Sequence, residues 1–564
     1  MAKRTGGEIL VAALRAHGVD RIFGVPGESY LPLLDALYAQ GAAAPIAFVT
    51  CRHEAGATNM AEADAKLTGR PGICAVSRGP GAMHAAIGLH TAQQDSTPLI
   101  LLVGQVPRAH RGLGAFQEMD FTQVFASVAK YVAEIDDPAD IPRIVAVAYR
   151  AAMTGRRGPV VLSLPEDVLA EASEVADLPP IEIPPAAPDA QAMAVLSDSL
   201  ASAQRPLMVL GGSGWSPEAC ADIIRFAEAH DLPVASGFRC QDLVPLSHEL
   251  YVGDLGIGPG PGLKKRVAET DLLLVVGERL GDITTQGYTL LARPKPQQPF
   301  VHVHPEPAEL GRVFQPDLAI VADIAAFAQA AVALNVPAPP SRRDWARDAR
   351  ADYLAYHAIP PSRPRNGCVD MAEVMSRLRE VLPDDAIVTN GAGNYCGWVN
   401  RFNRYNGFRT QLAPVSGAMG YGLPAAIAAK LRHPDRMVVA FAGDGCFTMA
   451  MTELATAMQQ RAAIIVLVVN NGTYGSIQMH QERQFPGHSI AIALTNPDFA
   501  ALARSFGAFG ESVSHIGAFG AAFDRAVAAN RPAVIELRTD PELITPATTV
   551  AAIRDQALAT RQQP

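Results

Sequence analysis

The chain lacks a paired-cysteine motif. Its 564 residues include seven cysteines, Cys51, Cys74, Cys220, Cys240, Cys368, Cys396 and Cys446, scattered with no CxxC among them. That spacing argues against a zinc site or a disulfide framework and fits a reducing compartment. No block of lysine and arginine stands out either. With a net charge of −9 and an isoelectric point near 5.9, the chain offers no obvious surface to nucleic acid or to an anionic membrane. Long apolar runs are missing as well. Stretches such as "AAIIVLVV" (462–469) fall far short of the roughly 20 residues a spanning helix needs. The opening segment "MAKRTGGEILVAALRAHGV" reads as an amphipathic helix without the apolar core of a signal peptide. No short-period repeat is visible. The expectation is a soluble, cytoplasmic protein with no nucleic-acid and no membrane partner.

What is present is an ordinary globular composition, 49% hydrophobic and 18% charged, in a chain too long for one core. Two Pro-rich stretches punctuate it: "LPPIEIPPAAPDA" (178–190), and a second spread over "NVPAPPSRRDW" and "AIPPSRPRNG" (335–367). Proline fixes φ and removes a donor, so these read as exposed linkers. They divide the chain into an N-terminal block 1–178, a central block 190–337 and a C-terminal block 365–548. Each alternates short apolar β-rich runs with helical periodicity. The runs are "RIFGV", "IAFVT", "ICAVS" and "LILLVGQ" in the first block, and "RPLMVLGG", "LPVASG", "DLLLVVGE" and "FVHVHP" in the second. The third has "AIVTNG", "MVVAFAGDG", "AIIVLVVNN" and "AVIELRT". Continuous apolar strands, each followed by a turn and a helix, predict three doubly wound α/β domains with parallel sheets.

The stretch "GDGCFTMAMTELATAMQQRAAIIVLVVNN" (443–471) carries the chemistry. Residues 437–442 read as a buried strand, and Gly443-Asp444-Gly445 as a turn. Phe447, Met451, Leu454, Ala455 and Met458 recur at spacings of three and four, predicting one helix over 447–458. Residues 462–469 form the next strand. The two strands of such a β-α-β unit are parallel. Asp444 and Asn470–Asn471 then share one sheet edge, the carboxyl edge where open α/β sheets bind ligands. Their oxygens suit a hard cation such as Mg²⁺, which would hold a diphosphate, and backbone amides of the Gly-flanked turn would approach the same anion. A plain surface turn is the alternative for "GDG" alone. The helix, the strand and "NN" at the far end favour the paired reading.

This stretch resembles the diphosphate-metal motif of thiamine-diphosphate enzymes. The resemblance implies Asp444 and Asn471 as side-chain ligands of Mg²⁺, with the Thr473 carbonyl as a third, and Gly443, Gly445, Cys446 and Tyr474 as cofactor neighbours. In "VTCRHEAGATNMAEADAKLTG" (49–69) it implies Glu54 as the acid that hydrogen-bonds the cofactor's pyrimidine ring and promotes loss of its C2 proton. Read by itself, Glu54 is a first-turn helix carboxylate. "SGAMGYGLPAAIAA" (416–429) resembles the segment that props the cofactor into its bent shape, with Met419 as the wedge beside Gly417. "TNGAGNYCGWVNRF" (389–402) places Gly393, Asn394 and Tyr395 near the diphosphate by the same resemblance. In this family the first and last domains meet across a dimer interface. A homodimer or homotetramer with sites shared between chains follows.

Over nearly the whole chain the resemblance is to the large catalytic subunits of the acetolactate (acetohydroxyacid) synthase family. It is carried by "FGVPGES", "RHEAGATNMAEA", "GRPGICAVSRGPGAMHA", "DSTPLILLVGQVP", "GAFQEMDF", "GAMGYGLPAAIAA" and "NPDFAALARSFGAFG". It implies decarboxylation of a 2-oxoacid, pyruvate, and carboligation of the two-carbon fragment to a second carbonyl. Three departures bear on the substrate. Glu28 of "VPGES" stands where these synthases carry a small residue. His480 of "NNGTYGSIQMH" stands where they carry a Trp that selects the acceptor. Arg78 of "VSRGPG" stands where a small polar residue is usual. Glu28 is then an active-site acid or a first-turn carboxylate. His480 is a substrate-facing group or a solvated helix residue. Arg78 clamps a carboxylate or pairs with a surface acid. Phe116 and Gln117 lie near the substrate by resemblance, and Glu28, Gln117 and His480 join Glu54 as candidate catalytic residues. The central domain binds FAD in these synthases, while many relatives leave it empty or hold an ADP group there. Its turns "LMVLGGSGW" and "LLLVVGERLGDITTQGY" leave FAD open as a further cofactor. The competing reading is a non-ligating 2-oxoacid decarboxylase or a C–C-cleaving hydrolase with the same cofactor. A flavin or nicotinamide oxidoreductase ranks far behind, because no strand of the central block is followed by a clean GxGxxG with an acid some 20 residues on. A non-enzymatic binding module comes last.

Overall fold

The computed structural model describes residues 3–41, 45–363 and 367–561. Part of the second Pro-rich stretch, 364–366, lies outside them. The described residues contain three six-stranded sheets, parallel throughout. In the first, the order is Ala47–Thr50, Arg21–Gly24, Gly72–Val76, Leu99–Gln105, Pro159–Pro165 and Tyr131–Glu134. The second runs Tyr251–Asp254, Val234–Ser236, Pro206–Leu210, Leu272–Val276, Phe300–His304 and Leu318–Val321. The third runs Gln411–Leu412, Ile387–Asn390, Val438–Gly443, Ile465–Asn470, Ala533–Arg538 and Phe509–Val513. Helices follow nearly every strand, as burial on both faces requires. The first sheet belongs to a compact unit formed by Met1–Pro184 with Ile427–Arg432. The other two share a unit formed by Pro185–Ala426 with His433–Pro564.

Every strand expected from an apolar run is present. Six further strands of these sheets carried no such signal. Five are edge strands: Tyr131–Glu134, Tyr251–Asp254, Leu318–Val321, Gln411–Leu412 and Phe509–Val513. The first and fifth of these are largely half-buried and mix polar with apolar residues, while Leu318–Val321 is apolar but half of its residues are exposed. The sixth, Pro159–Pro165, is wholly buried but opens on proline, a residue that reads as a turn.

Two expectations need correction. The second Pro-rich stretch is not all linker, since Pro340–Tyr356 is a helix with proline at its start, the position where proline costs no hydrogen bond. Its Arg342 is fully buried and donates from Nε to the Ala203 carbonyl at 2.9 Å. Arg342 thereby satisfies an end of the helix Ala190–Ser202. The single helix expected over 447–458 is also broken. It comprises Asp444–Thr448, a 3₁₀ turn at Met451–Glu453 and Leu454–Gln459. Phe447, Ala450, Glu453, Leu454, Thr456 and Ala457 are the buried positions, and the spacing of three from 447 to 453 suits a 3₁₀ turn better than an α-helix.

Candidate active site

In the third sheet Val438–Gly443 and Ile465–Asn470 are adjacent parallel strands. Asp444 and Asn471 therefore follow neighbouring carboxyl ends. The loop after the second strand folds back on Asp444: the Gly472 N–H donates to Oδ2 at 2.9 Å, helped by a positive φ of 67° at Gly472, which glycine adopts without strain. The Gly445 N–H donates to Oδ1 at 2.9 Å. The Asn496 amide donates to Oδ2 at 2.8 Å and to Asn470 Oδ1 at 3.0 Å. Asn470 is turned the other way by its own amide, which donates to Glu536 Oε1 at 2.7 Å, so Asn471 is the asparagine left on the loop. Its Oδ1 accepts the Thr473 N–H at 3.2 Å. Burial pushes the Asp444 carboxyl above its usual range, against the pull of these amides. The helix opening at Asp444 has only five residues, so individual amides rather than a helix dipole act here.

The Ile387–Asn390 strand ends in the turn Gly391–Tyr395. A Cβ at Gly391 would run into Cys446 Sγ at 2.5 Å, and one at Gly443 would lie 3.2 Å from the Tyr395 ring. The two turns pack backbone to side chain. The Tyr395 hydroxyl accepts the Gly391 N–H at 3.1 Å and donates to Cys446 Sγ at 3.6 Å. Cys446 Sγ also accepts the Gly420 N–H at 3.1 Å. Tyr395 and Cys446 are thus buried struts between turns, and burial raises both of their pKa values. Asn394 Oδ1 accepts from Ser476 Oγ at 2.9 Å, tying its turn to the helix Gly475–Gln484. Met419 is half-buried against the core, between Gly417 at φ 68° and Gly420 at φ 81°. A Cβ at Gly445 would meet the Tyr474 ring at 2.5 Å. His480 is exposed on the Gly475–Gln484 helix.

In the first unit the carboxyl edge of the sheet gathers four loops. Glu28 opens a 3₁₀ turn after Arg21–Gly24 and is exposed. Its neighbour Ser29 meets Ser77 at 3.2 Å, Oγ to Oγ. Glu54 opens the helix after Ala47–Thr50. Its side chain is 15% exposed, and Oε2 lies 2.9 Å from His84 Nδ1. Arg78 pairs with Glu166 at 2.6 Å, so of its two readings the surface pair is the one observed. Gln117 sits at a positive φ of 65°, and its carbonyl accepts the Gly79 N–H at 3.0 Å. Phe116 is 76% exposed.

The central sheet has its own crevice at the glycine turns after Pro206–Leu210 and Leu272–Val276. Glu278 fills it: its carboxylate occupies the space a β-carbon at Gly211 or Gly237 would take. The Thr284 hydroxyl donates to Oε1 at 3.3 Å, and burial raises the Glu278 carboxyl.

Three family models match the chain. The N-terminal TPP binding domain of thiamine pyrophosphate enzymes covers 4–124, their central domain 193–331 and their C-terminal TPP binding domain 391–537. The acetolactate synthase large subunit of Parasynechococcus marenigrum is 34% identical over 521 residues, spanning 90% of this chain and 83% of that one. The chain belongs to the thiamine pyrophosphate enzyme family. The acetolactate synthase large subunit of Lactococcus lactis is 33% identical, over 89% of this chain and 87% of its own. Isozyme 2 of Escherichia coli is 30% identical over 95% of each.

Membership makes this chain a thiamine-diphosphate-dependent enzyme, and the residues fit the cofactor. The ligand atoms that Asp444, Asn471 and Thr473 offer are all oxygens, and the Thr473 hydroxyl is buried without a hydrogen-bond partner. An oxygen set of this kind suits a hard divalent cation. The central crevice does not fit an anionic nucleotide in the same way, because a carboxylate of the chain already lies against its glycines. Asn496 and His84 are the residues that sequence reasoning missed. Asn496 lies in "TNPDF", which reads as a helix start and carries no link to Asp444. His84 lies inside the quoted "GRPGICAVSRGPGAMHA", where Arg78 drew the attention. Among the described residues no helix is long and apolar enough to cross a membrane.

Proposed function

We propose that the chain decarboxylates pyruvate and ligates the two-carbon fragment to a second 2-oxoacid, as an acetolactate synthase does. The observation that carries this is the pair of edges: a metal-ready oxygen set at Asp444–Asn471–Thr473 and a nearly buried glutamate at the head of the helix Glu54–Thr68, in a chain whose relatives bear the synthase name. Thiamine diphosphate supplies, when bound, the electron sink that 2-oxoacid decarboxylation requires. Asp444, Asn471 and Thr473 would hold Mg²⁺, and the turn amides with that cation would hold the diphosphate. Met419 supports the cofactor from the half-buried turn between Gly417 and Gly420. Glu54 would hydrogen-bond the pyrimidine ring. Glu28 and Gln117 flank the loops through which the 2-oxoacid is placed, and His480 stands on the acceptor side.

Glu54 and Asp444 lie in different compact units. On this reading two chains share each site, and the protein is a homodimer or homotetramer. The central domain takes no flavin, because the Glu278 carboxylate holds the place a pyrophosphate would need. Incubation with a panel of 2-oxoacids and identification of the products tests the reaction. Acetolactate from pyruvate alone is the expected product. Acetaldehyde would favour the non-ligating decarboxylase, and turnover only of other substrates would remove pyruvate as donor.

A further inference from the structure

His84 has no part in the reaction as described, yet it makes a close polar contact to the Glu54 carboxylate. Its Nδ1 lies 2.9 Å from Glu54 Oε2. An ionised carboxylate only accepts hydrogen bonds, so Nδ1 carries the proton. We propose that His84 is a positioning residue for Glu54, holding Oε2 so that Oε1 is presented to the cofactor's pyrimidine ring. The proposal rests on the reading of Glu54 as the activating acid.

The helices that carry the pair are built for this contact. Gly81, His84 and Gly88 recur at spacings of three and four along the helix Arg78–Asp95, on one face. A Cβ at Gly88 would collide with the Thr58 side chain of the Glu54–Thr68 helix, and a Cβ at Gly81 would lie 3.4 Å from Glu54 Oε1. Two glycines therefore bring the helices close on either side of the histidine and leave room for the carboxylate. Thr58 donates to the Glu54 carbonyl at 2.6 Å, fixing the backbone at the root of the side chain. The His53 ring lies against the His84 ring, centroids 4.5 Å apart at 32°. A glutamate loses rotamer freedom when held in one place, and a charge-assisted hydrogen bond offsets that loss.

His53, Glu54 and His84 also bring their ligand atoms within 4.8 Å of one another, as a metal centre would. The tautomer of His53 argues against that use. Its Nδ1 accepts the Ala55 N–H at 3.1 Å, so the single lone pair of the neutral ring is engaged in capping the helix and the proton sits on Nε2. The trio is a support in which His84 hydrogen-bonds Glu54 and His53 packs on His84.

The test compares His84→Leu, His84→Asn and Glu54→Gln. Three quantities are read: cofactor affinity by fluorescence titration, exchange of the bound cofactor's C2 proton for deuterium, and the histidine nitrogen spectrum of the cofactor-free protein. The cofactor-free protein is expected to show a histidine protonated at Nδ1, lost in His84→Asn and shifted in Glu54→Gln. His84→Leu is expected to slow C2 exchange by roughly ten-fold or more, the scale of a hydrogen bond to a charged group, with affinity nearly unchanged. His84→Asn, whose amide nitrogen takes the place of Nδ1, is expected to restore most of the rate. Slow exchange in Glu54→Gln with wild-type exchange in His84→Leu overturns the proposal and leaves Glu54 standing. Wild-type exchange in Glu54→Gln overturns the Glu54 reading itself. If His84→Leu fails to fold, His84→Ala takes its place in a double-mutant cycle with Glu54→Gln, and independent losses overturn the proposal.

Discussion

At the scale of single residues, the metal edge depends on one carboxylate held by amides. Asp444 Oδ2 receives the Gly472 N–H and the Asn496 amide while Oδ1 receives the Gly445 N–H. Asp444→Ala removes the charge that a divalent cation needs. It is expected to weaken Mg²⁺-dependent cofactor binding by at least ~100-fold, the upper end of what loss of a mere supporting group costs. Asn496→Ala removes only such a support and is expected to fall within about 10–100-fold. Calorimetric titration with thiamine diphosphate and Mg²⁺ reads both, and unchanged affinity in Asp444→Ala would refute the assignment.

At the scale of elements, the helix Gly475–Gln484 that carries His480 is clasped by the helix Val550–Arg561. The clasp is an ion pair under an apolar lid. Arg554 donates to both oxygens of the fully buried Glu482, at 2.8 and 2.7 Å, beside Met479, Ile544, Val550 and Ile553. Arg554 first, then the Gly487 amide and the Ser489 hydroxyl, hold the Glu482 carboxyl down at about 2. The unfolded value is about 4.3, so the folded value is depressed. The stabilisation is complete above the unfolded value and is lost as pH falls toward 2. Amide hydrogen exchange in 550–561 is therefore expected to accelerate below about pH 4. Arg554→Met is expected to loosen the helix near neutral pH by about 2 kcal/mol, less than a wholly buried pair because the arginine is partly solvated, and to lose this effect as pH falls toward 2. Equal exchange in both proteins at pH 7 would disprove the clasp.

At the scale of the whole molecule, two properties can be read from one purified sample. Sedimentation is expected to give a dimer or tetramer, and the visible spectrum is expected to show no flavin band. An active monomer would remove the shared site. A stoichiometric flavin would show that Glu278 yields its place.

How much of this was legible in the sequence differs with the kind of residue. Asp444 and Asn471 were legible because a buried strand, a glycine turn and a second buried strand fix their edge by local pattern alone. The central strands of each sheet were legible for the same reason: buried on both faces, they read as continuous apolar runs. An edge strand such as Phe509–Val513 was not, since most of it is only partly buried and mixes polar with apolar residues. The broken helix after Asp444 was not legible either, because spacings of three and four hide a run of threes.

The sequence by itself determined the α/β class, the three parallel sheets and the residues at their carboxyl edges, since hydrophobic period and turn chemistry are local properties. Only the tertiary structure decided which side chains serve those edges. Asn496 reaches Asp444 from 52 residues away, Arg78 turns to Glu166, Glu278 fills the central crevice and His84 closes on Glu54. Each of these depends on how separate helices and loops pack, which no local pattern records.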